Sequence, residues 1–430
     1  MSEPRRPGIC LCALALLSAV VSGQETLTLD KALQTALANH PSLQAARYEL
    51  DAAAAHARGA RALANPEIRI TPNVLGPAKS DELISVVQPL ELNGSRWARA
   101  EVAAGQKEAV AARAALTERD LVLNVTRSYW EAVLAQIVVT VDSENVRQAQ
   151  TSAELAALEV QLGNQPQTQA LKADVELARA RQQLYRSQAS AVQARAKLNA
   201  AMGLPPASEL ALPGELPFAA TTLAEPRLQL LALSRRADLA QARANLRTAQ
   251  GELAAARAVG RPDVALQYEA DQDGEGGVGV SLTLPQPDWG ALKAGRRKAA
   301  VSLLASQKTV AAVENDIRLQ VSTAAAGLRS AEAQVHEYQQ GVLEQSQRLA
   351  DMSLLGYKEG AASLLDVLEA RRTLRAVNLE YYSALADHLK SRAELQWAIG
   401  GSLPPESVAR PSAPAAKAPP VPAIKPVEVK

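Results

Sequence analysis

The chain of 430 residues carries 46 basic and 45 acidic side chains, which gives a formal charge of +1 at pH 7. This balance, with no basic stripe along the sequence, argues against a nucleic-acid-binding protein. Aromatic residues make up only 3% of the chain, a poor composition for a compact globular core. Alanine is abundant instead, and small side chains suit long helices that pack closely side by side.

The N-terminal residues 1–23 have the pattern of a secretory signal peptide. Two arginines precede a short apolar stretch over 9–21, and small residues follow up to Gly23. The stretch is too short to span a bilayer comfortably, although a membrane anchor is the alternative. Both cysteines, Cys10 and Cys12, lie inside it, so the exported chain is expected to contain none. A thiol-free product suits the bacterial periplasm or outer membrane.

The sequence after this segment consists of two similar halves at a nearly constant offset of 196 residues, which becomes 197 after one inserted residue, so that Gly203 corresponds to Gly400. Equivalent pairs are Leu43 and Leu239, Pro66 and Pro262, Pro89 and Pro285, Gly94 and Gly290, and Asp120 and Asp316. Solenoid repeats are only 20–50 residues long, so this longer repeat predicts a duplicated half-domain. Two similar copies are therefore expected around one pseudo-symmetry axis.

The duplication predicts the domain boundaries. The first repeat is expected over 24–203 and the second over 227–403. A linker over 204–226, rich in proline and without periodicity, joins them. The tail 404–430 consists mainly of Pro, Ala and Lys and is expected to be disordered.

The first repeat is predicted to contain three helices and a β-hairpin. A helix over 28–65 ends before a proline, and alternating apolar residues over 66–91 indicate a hairpin with strands of about ten residues. The stretch 95–162 lacks proline and predicts one helix on the order of 100 Å long. A Gly/Pro turn at 163–166 separates it from a last helix over 168–202.

The second repeat follows the same order, which predicts a mainly α protein with a small β part. Its hairpin is expected over 262–285, its long helix over 291–355, its turn over 356–360 and its returning helix over 363–399. Since no later run of 18 apolar residues exists, any membrane crossing would use β-strands closed into a barrel. Four strands per chain cannot close one, so the membrane part is expected to be oligomeric.

Two segments carry a resemblance to a known family, and the resemblance covers essentially residues 27–403. Residues 88–96 read QPLELNGSR, and 356–372 read GYKEGAASLLDVLEARR. With the signal peptide and the duplication, they resemble the TolC family of outer-membrane efflux proteins. The first segment is similar to the signature of its CzcC-like, heavy-metal branch.

This resemblance implies a homotrimer with a 12-stranded outer-membrane β-barrel in lipid and a coiled-coil α-barrel in the periplasm. It implies two partners, a periplasmic adaptor (membrane fusion protein) and an inner-membrane RND pump, and a passive duct for heavy-metal cations. A TolC-like channel for drug efflux or type I protein secretion is the alternative. A periplasmic adaptor protein is the alternative of another class, but it would need more strands than one hairpin per repeat.

By position, the resemblance also implies a periplasmic constriction at Asp366 and Glu369. Their spacing places both carboxylates on one helical face, and a ring of such acids attracts cations. A solvated acidic face is the alternative. Tyr357 matches a gate tyrosine whose contact would be Gln169, where the family has an aspartate. Ala362 replaces an arginine, so the polar lock of the gate departs from the family pattern.

The turns farthest from the hairpins are the expected contacts with the adaptor. The residues concerned are Gly163, Asn164, Gly356 and Gly360. Trp97 and Trp289 follow the second strand of each hairpin and are candidate membrane-interface anchors, with a packing role as the alternative.

No enzyme, cofactor or metal site is predicted. The four histidines, His40, His56, His336 and His388, are dispersed and lack a second ligand at metal-binding spacing. No Ser/His/Asp set or carboxylate pair stands in an active-site context.

Overall fold

The computed structural model describes residues 26–71, 83–163, 165–221, 224–270, 275–284 and 289–404. The predicted signal peptide, both hairpin loops and the tail beyond residue 404 lie outside these ranges. Within the described ranges, no helix is both long enough and apolar enough to cross a membrane.

Within its described residues, the first repeat contains four helices, where three were predicted. They are α1 (Leu29–Asn39), α2 (Pro41–Gly59), α3 (Ser95–Gln161) and α4 (Gln167–Ala201). The long helix was predicted correctly, but one continuous helix over 28–65 was wrong. His40 has an extended backbone (φ −69°, ψ 124°), because Pro41 excludes the residue before it from the helical region. The chain therefore bends between α1 and α2.

The part of the second repeat that the structure describes contains five helices. They are α5 (Glu225–Arg235), α6 (Ala237–Ala258), α7 (Ala291–Glu337), α8 (Leu343–Lys358) and α9 (Leu364–Ile399). Arg236 bends the chain where His40 does in the first repeat. One unbroken helix over 291–355 was wrong, because a π-helical turn at Tyr338–Val342 separates α7 from α8. Inside that turn Gly341 leaves helical geometry (φ 177°, ψ −32°).

The two hairpins join into one four-stranded antiparallel sheet. Its strands are β1 (Glu67–Thr71), β2 (Leu83–Pro89), β3 (Asp263–Ala270) and β4 (Gly276–Thr283), in that order across the sheet. The described parts of the strands have five to eight residues, and β1, β2 and β3 each adjoin residues outside the described ranges. The middle pairing, in which Ile84 lies opposite Ala270, connects the two repeats.

The main hydrophobic core lies midway along the helices, where both repeats and the linker meet. Leu43, Val125, Val133, Leu198 and Leu389 are among its buried members. The linker packs against this core as a strap.

Hydrogen bonds attach this strap at both sides. Leu27 N–H donates to the Ala211 carbonyl at 2.7 Å. The buried Asn199 amide donates to the carbonyls of Pro206 and Ser208 at 3.1 and 2.8 Å. The linker is thus an ordered part of the body up to Thr221.

Candidate functional site

The sheet has one apolar and one polar face, because alternate residues of a strand point to opposite sides. The apolar face carries Ile68, Ile70, Ile84, Val86, Leu266, Tyr268, Val278, Val280 and Leu282. The polar face carries Glu67, Arg69, Ser85, Gln267, Glu269 and Ser281. The apolar face is open to solvent in the single chain, with Val278 80% exposed. A contiguous apolar surface of this kind marks an interaction site.

Both candidate anchor residues lie where the sheet meets the helices. Trp97 is the third residue of α3 and is 75% exposed, and Trp289 directly precedes Gly290 at the start of α7 and is fully exposed. The Arg96 guanidinium carbon lies 5.8 Å from the centre of the Trp97 ring. Two exposed indoles beside an exposed apolar face are typical of a membrane boundary.

The opposite end of the molecule consists of the turns after α3 and α8. Gly163 (φ 75°) and Gly360 (φ 76°) have left-handed backbones at these helix ends, a conformation that favours glycine. Gly356 is in the last turn of α8, and its carbonyl accepts hydrogen bonds from Ala361 and Ala362 at 2.7 and 3.0 Å. Asn164 lies outside the described residues.

The candidate gate residues lie at this end of the molecule but are not bonded to each other in the described part of the chain. Tyr357 packs against a hydrophobic cluster that includes Ala173, Leu364 and Leu368. Burial, together with the nearby charge of Glu159, raises the pKa of the Tyr357 hydroxyl. Gln169 lies in the first turn of α4 and lines a groove between α4 and α9.

The acids of the predicted constriction occupy the first turns of α9, and both are exposed. Ser363 and Asp366 form a capping box: Ser363 Oγ accepts from the Asp366 amide at 3.3 Å, and Asp366 Oδ2 accepts from the Ser363 amide at 2.9 Å. The Ser363 hydroxyl also donates to Asp366 Oδ2 at 2.7 Å, and this bond, together with the one from the Ser363 amide, lowers the pKa of the Asp366 carboxyl. Glu369 extends from the same side of the helix but takes no part in the capping box. The sequence analysis missed the box, although the S-x-x-D pattern signals it.

The sequence analysis did not recognise an arginine-lined groove. It lies near the tip of the molecule, the end formed by the turns after α3 and α8. It measures about 290 Å³ between α3, α4 and α9 and is lined by Arg179, Arg371, Arg372 and Arg375. Arg371 donates to the Gln148 carbonyl at 3.0 Å and to Ser152 Oγ at 2.6 Å. Burial lowers the pKa of Arg371.

Two carboxylates, one from α3 and one from α4, pair with three of these four arginines. Asp142 is buried, and its Oδ1 accepts two hydrogen bonds from Arg375, at 2.9 and 2.6 Å. Glu176 on α4 pairs with both Arg179 and Arg372. The groove thus joins the two repeats through charge as well as through apolar contact.

Two of the histidines that are dispersed in the sequence pack against the same aromatic ring in the structure. The rings of His336 and His388 lie 5.3 and 4.9 Å from that of Phe218, at the end of the strap. His388 is fully buried, and burial together with Arg392 and His336 lowers its pKa to about 4. Glu332 lies 3.6 Å from its Nε2, too far for a hydrogen bond, and accepts the Thr221 amide at 2.9 Å instead. Spacing in the sequence could not show this contact.

The molecule is therefore a very long helical body with an open sheet, apolar on one face, at one end and two turns at the other. Residues 32–204 and 229–401 match the family described as "Outer membrane efflux protein". These matches span most of the chain, which belongs to this family. The expectations of an outer-membrane efflux channel extending into the periplasm, and of a mainly helical fold with a small sheet, are confirmed. Its relatives are channels rather than enzymes.

Individual relatives agree with this assignment. The cobalt-zinc-cadmium resistance protein CzcC of Cupriavidus metallidurans is 26% identical over 381 residues, covering 87% of this chain and 90% of the relative. The pyoverdine export protein OpmQ of Pseudomonas aeruginosa is 31% identical over 39% of this chain and 38% of its own.

Solved structures share the fold. The outer-membrane protein VceC of Vibrio cholerae superposes with a TM-score of 0.74 at 17% identity, covering 87% of this chain and 96% of its own. The open-state channel MtrE of Neisseria gonorrhoeae superposes with a TM-score of 0.73 at 21% identity, covering 87% and 89%.

Proposed function

We propose that three copies of this chain form a passive duct through which heavy-metal cations leave the cell. The duct works with a periplasmic adaptor and an inner-membrane RND pump. The observation that carries the proposal is the open four-stranded sheet with an exposed apolar face. The cobalt-zinc-cadmium resistance relative, which matches most of the chain, supports the cargo.

Closure of the sheet requires more than one copy. In the single chain β1 and β4 are edge strands, and such edges are templates for further pairing. Four strands are too few for a closed barrel, whereas the twelve strands of three copies suffice. The apolar face would then meet lipid, with Trp97 and Trp289 as anchors at the membrane interface.

The opposite end would contain the gate and the adaptor contacts. Tyr357 and Gln169 are the proposed gate contact, and Gly163, Asn164, Gly356 and Gly360 belong to the adaptor-contacting turns. A cysteine at Glu359 is expected to crosslink to the adaptor in whole cells. A cysteine at the exposed Leu63, near the sheet, is the control, and crosslinking from that position alone would place the adaptor at the wrong end.

Six carboxylates from Asp366 and Glu369 would face the narrow end of a trimer and favour cations. Glu369→Gln is the cleaner test, because the Asp366 carboxylate also caps α9. This change is expected to lower the cation selectivity of single channels in planar bilayers with little change in conductance. Asp387→Asn, on the same helix but far from the tip, is the matched control. Unchanged selectivity in Glu369→Gln would place the constriction elsewhere.

The cargo is tested by growth. Deletion of the gene is expected to lower tolerance to cobalt, zinc and cadmium, and expression of the chain should restore it. Another relative, the putative multidrug resistance protein MdtQ of Escherichia coli, is 25% identical over 87% of this chain, which supports drug efflux as a second candidate. Restored tolerance to drugs alone would favour that function and reject metal export.

A further inference from the structure

Basic side chains are concentrated where the helices α2, α3, α6 and α7 meet the sheet. We call this region the basic collar, and it consists of residues 58–61, 91–99, 257–263 and 289–298. The collar contains two acidic residues, Glu91 and Asp263, and ten basic ones: Arg58, Arg61, Arg96, Arg99, Arg257, Arg261, Lys293, Arg296, Arg297 and Lys298. The whole chain has a formal charge of only +1, so this positive excess is local.

Several arginines of the collar donate to backbone carbonyls at the helix ends. Arg96 Nε donates to the Arg61 carbonyl at 2.8 Å, just after α2 ends. Arg296 Nε donates to the Ala256 carbonyl at 3.4 Å, in the last turn of α6. The absence of a side chain at Gly260 makes room for this arginine, because a Cβ atom there would lie 2.0 Å from Arg296 Nη2. A carbonyl orients a guanidinium but carries no full charge, so these arginines keep their positive charge.

Carboxylates leave most of the collar uncompensated. Arg99 pairs with Glu91 at 2.5 Å, and the other nine basic residues of the collar form no ion pair within the part of the chain that the structure describes. Further from the sheet the charges become mixed, since Glu101 and Glu108 of α3 both pair with Arg247 of α6. The positive charge is therefore confined to a band next to the sheet.

This band adjoins the apolar face of the sheet. The exposed indoles of Trp97 and Trp289 lie between the two. Lys293 and Arg296 are exposed in the first turns of α7, directly after Trp289. Apolar strands, then indoles, then basic side chains follow one another along the molecule, which is the order of hydrocarbon, interface and headgroups in one leaflet of a bilayer.

We propose that the basic collar binds the phosphate groups of anionic phospholipids in the leaflet that faces the helical body. Guanidinium groups match the oxygen atoms of a phosphodiester, and the lysines add positive charge at the same depth. The apolar face would hold the acyl chains of the same lipids, which is why a phospholipid fits this surface better than a soluble anion. This inference rests on the proposed insertion of the sheet into a membrane and names the lipid that it selects.

The indoles beside the collar provide the measurement. The full chain is reconstituted into vesicles of phosphatidylcholine brominated near the headgroup end of its acyl chains, which quenches tryptophan at short range. Of the four tryptophans, Trp97 and Trp289 are the exposed ones at the sheet, whereas Trp130 is buried in the helical body. Unbrominated phosphatidylglycerol is then added. At low salt it should displace the brominated lipid and restore fluorescence to a greater extent than unbrominated phosphatidylcholine does.

Charge removal tests the assignment to the collar. Lys293→Gln with Arg296→Gln should lower the relative binding constant for phosphatidylglycerol, by about fivefold for each charge that contacts a headgroup. Lys293→Arg with Arg296→Lys keeps both charges and should retain the preference. Lys308→Gln with Lys197→Gln removes two exposed charges far from the sheet and is the matched control, which should behave as the unmodified chain does. Salt at about 1 M, where the Debye length is about 3 Å, should abolish the preference.

The outcomes separate this inference from the proposed function. Fluorescence that brominated phosphatidylcholine does not quench would show that the sheet does not enter a bilayer, and this would reject the duct itself. Quenching without a preference for phosphatidylglycerol would leave the duct standing and overturn the lipid site. A preference that survives in Lys293→Gln with Arg296→Gln, or that the Lys308 and Lys197 control loses equally, would also overturn it. Collar-dependent binding to purified peptidoglycan in place of phosphatidylglycerol would assign this surface to the cell wall and reject the proposal.

Discussion

The two repeats share their order of elements but differ in their long helices. In the first repeat α3 is one unbroken helix of 67 residues. In the second, the π-helical turn divides the same length into α7 and α8. Subtracting 196 from Tyr338 gives Asp142, the buried acid that holds Arg375. At equivalent positions along the long helix, the first repeat therefore has an ion pair that holds α3 to α9. The second repeat has the π-helical turn. π-helical insertions are frequent at functional sites, so the duplication has kept the positions of the elements but not the continuity of the long helix.

Among the predictions that test this difference between the repeats, removal of the Asp142–Arg375 ion pair should change stability the most. Asp142→Ala leaves the half-buried Arg375 guanidinium without its carboxylate and should lower the free energy of unfolding by about 3 kcal/mol. Urea denaturation followed by circular dichroism measures the loss. The double variant Asp142→Ala with Arg375→Leu is the control and should recover most of it. Equal instability of both variants would show that the pair does not fasten α3 to α9.

Acid should lower the stability of the second repeat near the π-helical turn that separates α7 from α8. His388 has a folded pKa of about 4, below its unfolded value, so its contribution to stability is complete above about pH 6.5 and is lost as the pH falls towards 4. The uptake of one proton gives a maximum slope of about 1.4 kcal/mol per pH unit in the free energy of unfolding. Glu332, whose pKa is raised by burial, opposes part of this loss because its ionisation becomes costly as the pH rises. His336 and Arg392 are the other charged groups near the ring.

The measurement is thermal unfolding between pH 7.5 and 4.5. His388→Gln should flatten the profile, whereas His56→Gln, on the exposed side of α2, should leave it unchanged. A profile with the same slope in His388→Gln would assign the acid sensitivity to other groups.

The smallest expected effect concerns the starts of the two returning helices. α9 has the capping box of Ser363 and Asp366, whereas α4 begins after Pro166 with no side-chain cap. Ser363→Ala should cost about 1 kcal/mol and fray the first turn of α9. Hydrogen exchange of the first-turn amides measures the fraying. Gln167→Ala is the control at the start of α4 and should have little effect. Equal protection in Ser363→Ala would mean that packing alone holds this turn.

Features set by local sequence were predicted well. The absence of proline over 95–162 was sufficient for α3, and the alternating residues located both hairpins. The bend at Pro41 could also have been read, because proline restricts the residue before it. Assignment of the residues to the gate and constriction rests on resemblance and stays a prediction.

Features that depend on distant contacts could not be read from the sequence. Gly341 has an ordinary helical neighbourhood, so its pattern gave no sign of the π-helical turn. His336 and His388 are far apart in the sequence and meet only because α7 and α9 pack around the strap. Arg375 and Asp142 belong to different repeats, and no periodicity connects them.

The pairing of β2 with β3 has a consequence for biogenesis. Its partners, such as Ile84 and Ala270, come from opposite halves of the chain, so the central ladder cannot form until the second hairpin has been synthesised and exported. Non-local strand pairing of this kind is slow and leaves apolar strand edges exposed in the meantime. During its passage through the periplasm the nascent chain should therefore depend on holding chaperones, and the helices should acquire protection before the sheet does.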